Sequence, residues 1–114
     1  MSDNCLFCKI IAGSIPATVV YKDENMTAFR DINPQAPTHI LIIPNRHLVS
    51  VSAAETGDAN LLGTLLLMGK QLAEKENLVR GYRLVINDGE DGGQTVAHLH
   101  VHLLGGRRMT WPPG

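Results

Sequence analysis

The chain has 114 residues, 44% of them apolar but only 4% aromatic, and a formal net charge of −1. A chain of this length buries about two thirds of its unfolded surface, enough for one core and too little for two, so residues 1–114 read as one domain with an aliphatic interior. The charge balance offers nothing to hold a nucleic-acid backbone, and so few aromatics offer no platform for stacking single-stranded bases. The longest apolar or small run, residues 61–69, falls far short of the ~20 residues a membrane span requires. The N-terminus lacks a basic segment followed by an apolar one, so no secretory signal is expected. Two cysteines separated by two residues are too few for a disulfide framework, and a reducing, cytoplasmic setting is expected.

In chain order, Asn4 is positioned to cap a short helix over residues 6–12, which Gly13 stops. Residues 18–21 and 26–30 flank Lys22-Asp23-Glu24-Asn25 as a hairpin. Residues 31–38 carry Pro34 and Pro37 and read as a rigid loop. Residues 39–43 form a β-branched strand ended by Pro44. Ser52 and Glu55 have capping-box spacing. From about residue 58 to 77, Leu61, Leu62, Leu65, Leu66, Met68 and Leu72 recur at helical spacing. Gly63 and Gly69 each weaken that helix by about 1 kcal/mol against Ala, which points to close packing on something flat. Gly81 opens a strand over residues 82–87, and a loop rich in Gly and Asp leads to a last strand over about residues 96–104. The order α-β-β-β-α-β-β, with short links between successive strands, predicts an α+β fold with an antiparallel sheet whose helices cover one face. The tail, residues 105–114, has no periodicity, and Trp111 beside two prolines is expected on the surface or against a partner subunit.

His98-Leu99-His100-Val101-His102-Leu103 is the most informative segment. In a strand, the three imidazoles share one face, successive ones about 6.8 Å apart, while Leu99, Val101 and Leu103 share the other. Such a row can bind a metal, or supply a nucleophile whose neighbours handle protons. A His-rich solvated strand face is the alternative, and three histidines in strict alternation weigh against it. The preceding loop, residues 87–95, narrows the choice. Gly92 and Gly93 let backbone N–H groups converge into an anion-binding concavity. The Thr95 hydroxyl and Asn87 amide would add neutral hydrogen bonds to a phosphate. A plain glycine turn would explain the loop alone; beside three histidines, a phosphate cradle explains it better, with Asp88, Glu90 and Asp91 turned to solvent.

His98 to Leu104 resembles the histidine triad signature, His-φ-His-φ-His-φ-φ with φ apolar. The resemblance extends over nearly the whole chain, from Lys9-Ile10-Ile11 through Asp31-Ile32-Asn33-Pro34-Gln35-Ala36-Pro37-Thr38-His39 to Gly92-Gly93-Gln94. Leu104-Gly105-Gly106-Arg107 and Trp111-Pro112-Pro113-Gly114 are similar to the histidine triad nucleotide-binding branch, the HINT proteins. The resemblance implies a HIT-like fold: a five-stranded antiparallel sheet with two helices, continued across a homodimer. It also implies hydrolysis of purine nucleoside phosphoramidates, and possible action on aminoacyl-adenylates. By matching position, His100 is the nucleophile that carries a transient nucleotidyl group. His98, His102 and His39 orient it, stabilise charge and move protons. Asn87, Gly93 and Thr95 hold the phosphate, with Gln94 in the same loop. Asp31 accepts from ribose hydroxyls, and Ile32, Phe7, Ile10 and Phe29 wall the base, although plain core packing explains Phe29 and Ile10 equally well. Trp111 is expected near the partner's active site.

Cys5-Leu6-Phe7-Cys8 has the C-x2-C spacing of half a tetrahedral zinc site. A thioredoxin-like role fits less well, because the pair precedes the first strand. His47, just after a strand, and His98 are candidates for the remaining ligands. Many bacterial histidine triad proteins resemble this chain in pairing C-x2-C with such a His and the first triad His around structural zinc; animal members of the nucleotide-binding branch typically lack both cysteines. The alternative is two reduced, partly buried thiols with His47 on the surface. Catalysis itself is expected to need no cofactor. Three further readings remain: a dinucleoside polyphosphate hydrolase using the same triad, a nucleotide-binding or scaffolding module whose hydrolysis is incidental, and, more distantly, a non-haem metal enzyme using the three strand histidines, which would leave the cradle without a purpose.

Overall fold

The computed structural model describes residues 4–114. Two helices, α1 (Leu6–Ile11) and α2 (Ala59–Lys75), accompany five strands: β1 (Val19–Lys22), β2 (Met26–Arg30), β3 (Thr38–Pro44), β4 (Tyr82–Val85) and β5 (Val101–Gly105). All strand pairs are antiparallel, in the order β1-β2-β3-β5-β4, so β1 and β4 form the sheet edges. The expected α+β architecture and element order hold.

The helices do not cover one face. Period-two alternation along β3 sends Ile40 and Ile42 to one side, where they join Met26, Ala28, Leu99, Val101 and Leu103 beneath Leu65, Met68 and Leu72 of α2. Leu41 and Ile43 point the other way and pack with Phe29 and Phe7 of α1. Every residue of β3 is therefore buried. The short apolar face of α1 needed its own partner, and only the opposite side of the sheet was free.

Several local expectations shift. Cys5, not Asn4, caps α1, its Sγ accepting from Cys8 N at 3.4 Å. The capping box joins Glu55 and Asp58, while Ser50 caps the 3-10 turn Val51–Ala53. Gly69 does allow close packing, since a Cβ would lie 2.8 Å from Leu84 Cδ2, but Gly63 faces open space. The last strand begins at Val101, five residues later than expected. Pro44 has no N–H to continue the ladder past Ile42, which pairs with Val101. Its carbonyl is taken by the His98 ring, and Leu99 N donates to Leu48 O at 2.6 Å.

Candidate active site and metal cluster

The register of β3 and β5 brings the first pair of site residues together. Leu41 lies opposite His102, and His39 opposite Leu104, so His39 and His102 are diagonal neighbours on the α1 side of the sheet. Their rings meet with His39 Nε2 2.9 Å from His102 Nδ1. His39 Nδ1 accepts from the Gln35 backbone N–H at 3.1 Å. A neutral His39 must then carry its proton on Nε2 and donate it to His102 Nδ1, which leaves the His102 proton on Nε2. That atom is buried and has no hydrogen-bond partner among the described residues.

The same accounting applies to His100. Its Nδ1–H donates to the His98 carbonyl at 2.8 Å, so Nε2 holds a bare lone pair. The His100 ring sits 4.9 Å from that of His102, centroid to centroid, and the Phe7 ring stands edge-on to it at 5.1 Å. Burial lowers the affinity of His39, His100 and His102 for protons, partly opposed by the Asp31 carboxylate. His102 is pushed down to about 4, with the neighbouring His100 and His39 adding to the effect of burial. Near neutral pH these imidazoles are uncharged, which is the form a nitrogen nucleophile and a neutral N–H donor require.

His98 belongs to a second cluster, although strand alternation placed it in one row with the others. Its Nε2–H donates to Pro44 O at 2.8 Å, which exposes Nδ1 as a ligand. Nδ1 lies 3.3 Å from Cys5 Sγ and 3.5 Å from Cys8 Sγ, and Cys8 Sγ lies 3.3 Å from His47 Nδ1. All four donor atoms fall within 4.8 Å of one another. Tetrahedral zinc with Zn–S near 2.3 Å and Zn–N near 2.05 Å needs S···N separations of about 3.6 Å. The donor set and its spacing fit a structural zinc ion, and the Pro44 carbonyl fixes the required tautomer of His98. Asp31, His39 and His102 form another potential ligand group. There the facing nitrogens of the two imidazoles already share a proton.

In the loop before β5 the expected cradle is partly rearranged. Gly93 N donates to Glu90 O and Gln94 N to Gly89 O, both at 3.0 Å, so these amides close the turn. Gln94 braces the loop: its Oε1 accepts from Gly89 N at 2.9 Å, and its Nε2 donates to Val49 O and Val96 O at 2.7 and 3.1 Å. Its side chain is thus committed to positioning the loop. Gly93 has φ +80°, and a Cβ on Gly92 would overlap the Asp88 carbonyl oxygen. The Asn87 amide and Thr95 hydroxyl make no hydrogen bond among the described residues and remain available. Asp88 Oδ2 accepts from Ser52 N at 2.7 Å, and Glu90 and Asp91 are exposed.

Of the other expected site residues, Asp31 lies beside His39, 3.5 Å from its Nε2, and its second oxygen accepts from Asn33 N. Ile32 is 96% exposed, an apolar side chain with no core role. Phe29 is buried behind Phe7, and Ile10 packs partly buried against the same cluster. Trp111 is 81% exposed and lies near Arg83 of β4, which donates to Thr110 O. The backbone groups of Gln35 and Pro44, which set two tautomers, had no sequence signal because every residue carries the same carbonyl and nearly every one the same N–H.

An antiparallel α+β sheet presenting four imidazoles, three of them following a glycine turn in the chain, defines a class of histidine-cluster protein. Comparison with known proteins gives it a family: the HIT domain model matches residues 12–109, and the chain belongs to that family. It is 59% identical over 111 residues to a 14 kDa zinc-binding protein of Zea mays, covering 96% of this chain and 87% of that one. It is 58% identical to a HIT family hydrolase from Legionella pneumophila Philadelphia 1, whose crystal structure superposes with a TM-score of 0.95 over 97% of this chain and all of that one. A HIT family hydrolase from Clostridium thermocellum is 45% identical, with a TM-score of 0.92 and 95% of each chain covered.

Proposed function

We propose that the protein is a hydrolase that cleaves purine nucleoside 5′-phosphoramidates through a nucleotidyl intermediate on His100. The reading is carried by one observation: His100 Nδ1–H is held by the His98 carbonyl at 2.8 Å, leaving an Nε2 lone pair on a ring 4.9 Å from that of His102, whose own Nε2 is buried without a partner. His100 Nε2 attacks the α-phosphorus; the N–P bond to His100 forms as the P–N bond to the amine breaks, and the amine departs with a proton taken up from solvent. Water then attacks phosphorus, the new P–O bond forms as the N–P bond to His100 breaks, a water proton returns to solvent, and the nucleoside monophosphate leaves. The His102 Nε2–H supplies a hydrogen bond to the phosphoryl oxygen that gains charge, an interaction stronger in the transition state than in the ground state. Asn87 and Thr95 add neutral donors to the phosphate, Asp31 accepts from the ribose hydroxyls, and Ile32 with Phe7 borders the base. The names of the Legionella and Clostridium relatives, both hydrolases, support this class of activity.

Zinc is proposed at Cys5, Cys8, His47 and His98, in keeping with the name of the maize relative. The ion would tie α1 to the residues before β5. His98 is then a ligand and not a free proton donor.

A homodimer is proposed along the β4 edge, with the sheet continued into a second copy. An edge strand with unpaired backbone groups invites such pairing. Exposed Tyr82, Val79 and Trp111 near β4, and Leu66 and Leu67 on α2, supply apolar surface for it. The tail carrying Trp111 would then approach the partner's cleft.

The test is His100→Ala with adenosine phosphoramidate as substrate. Turnover is expected to fall at least about a thousandfold while nucleoside monophosphate binding and the melting temperature hold. Wild-type-like hydrolysis by this variant removes His100 from its role. Diadenosine polyphosphate assayed in parallel separates the rival hydrolase, and tight nucleotide binding without turnover on any phosphoramidate would favour a binding module.

A further inference from the structure

We propose that Cys5 and Cys8 act as a redox-sensitive clamp on His100, so that a Cys5–Cys8 disulfide discharges the metal and slows turnover. The turnover arm rests on the reading of His100 as nucleophile; the structural arm stands on geometry alone.

Two physical links join the thiols to His100. The first runs through His98. Its ring Nδ1 lies within 3.5 Å of both sulfurs, and its backbone carbonyl is the acceptor that orients the His100 ring. One residue thus serves both clusters, and a shift of its ring moves the hydrogen bond that aims the nucleophile. The second link is Phe7, which sits between the two cysteines in sequence. Its buried ring stands edge-on to His98 at 5.9 Å and to His100 at 5.1 Å. The six-residue α1 has Cys5 as its cap, so the sulfur positions also govern where the start of that helix lies.

The cluster is reachable from solvent and its two sulfurs are near neighbours. Cys5 and Cys8 are half-buried and reduced, His47 is exposed, and the sulfurs lie within 4.8 Å of each other. A disulfide requires about 2.05 Å, so the sulfurs must close that gap and leave both imidazoles. With hydrogen peroxide as oxidant, one thiolate attacks the O–O bond, forming a sulfenic acid and releasing hydroxide. The second thiolate attacks that sulfur, the S–S bond forms and a second hydroxide leaves. The sulfurs lose two electrons, the peroxide gains two and, with two protons, ends as two waters. A zinc ion held by the thiolates is released as Zn²⁺.

The zinc-loaded, full-length protein is treated with stoichiometric peroxide and then with a dithiol plus zinc. Four readouts are followed: intact mass, zinc captured by a chromogenic chelator, ¹⁵N-histidine NMR signals of the His100 ring, and kcat on adenosine phosphoramidate. Oxidation is expected to remove 2 Da, map to the peptide carrying Cys5 and Cys8, and release one zinc per chain. The His100 signals should shift while the amide signals of β2, β3 and β5 stay in place, and kcat should fall at least about tenfold, all reversed by the dithiol and zinc. His47→Ala stripped with chelator, both thiols kept, should reproduce the His100 shift without oxidant. The proposal is overturned if the disulfide forms with His100 signals unmoved, if no intramolecular disulfide forms, or if the whole sheet unfolds on oxidation. Reduced protein inactive on every phosphoramidate, yet showing the reversible His100 shift, would sink the proposed substrate and leave the clamp standing.

Discussion

Burial governs how the clustered imidazoles hold protons. An unfolded histidine takes up its proton near pH 6.5, whereas folded His102 resists until about 4. Between those values the unfolded chain binds more protons, so this residue makes stability fall as pH drops from about 6.5 to about 4. Urea midpoints should decline over that window, with a shallower slope in His102→Asn; equal slopes would assign the decline to other groups. His39 acts through His102, since its Nε2–H is what leaves the His102 proton on the far nitrogen. His39→Ala should therefore lower kcat about ten- to a hundredfold with KM within about twofold, and His39→Gln, which retains an N–H donor, should recover part of the loss. A change confined to KM would show that His39 contacts substrate instead.

Elements differ in how much of their structure short sequence patterns could reveal. The period-two run 98–103 correctly sent Leu99, Val101 and Leu103 to the α2 face, because alternation is a local property of extended backbone. Where the ladder begins was not local: it depends on Pro44, 54 residues from His98. The helical stripe of α2 was equally legible except at Leu66, which is 41% exposed; Gly69 marks the helix's contact with Leu84, but Gly63 sits in the open with no packing role to explain it. The turn before β5 looked like an anion nest from its glycines. Its Gly93 and Gln94 amides close the turn internally, and Gln94 braces the loop against the Val49 carbonyl. A Cβ on Gly92 would overlap the Asp88 carbonyl oxygen, so the turn requires glycine there. Gly92→Ala should cost about 1–3 kcal/mol and weaken nucleoside monophosphate binding several-fold, read by thermal unfolding and calorimetric titration. Unchanged binding would detach the loop from the phosphate site.

At the scale of the whole molecule, the sheet leaves β4 as an edge with apolar neighbours exposed, and among the described residues no helix is long and apolar enough to cross a membrane. Pairing of two β4 edges would bury Tyr82 and bring each Trp111 tail towards a second subunit. Sedimentation should give twice the chain mass for the wild type, and Leu67→Glu, which charges a 60% exposed leucine on α2, should shift it towards monomer. A wild type that sediments as a monomer would remove the sheet-to-sheet dimer.

The amino-acid sequence alone determined the element order, the aliphatic core stripes, the alternating histidines and the C-x2-C half-site, because each is written in the spacing of near neighbours. The tertiary structure decided how the histidines divide. Alternation put His98, His100 and His102 in one row; long-range partners split them, His98 to sulfurs some 90 residues away and His102 to His39 across the sheet, 63 residues away. It also decided which nitrogen of each ring carries the proton. Tautomers follow from the donor or acceptor that faces each ring, and those partners meet only when the β3–β5 register and the packing of α1 are in place.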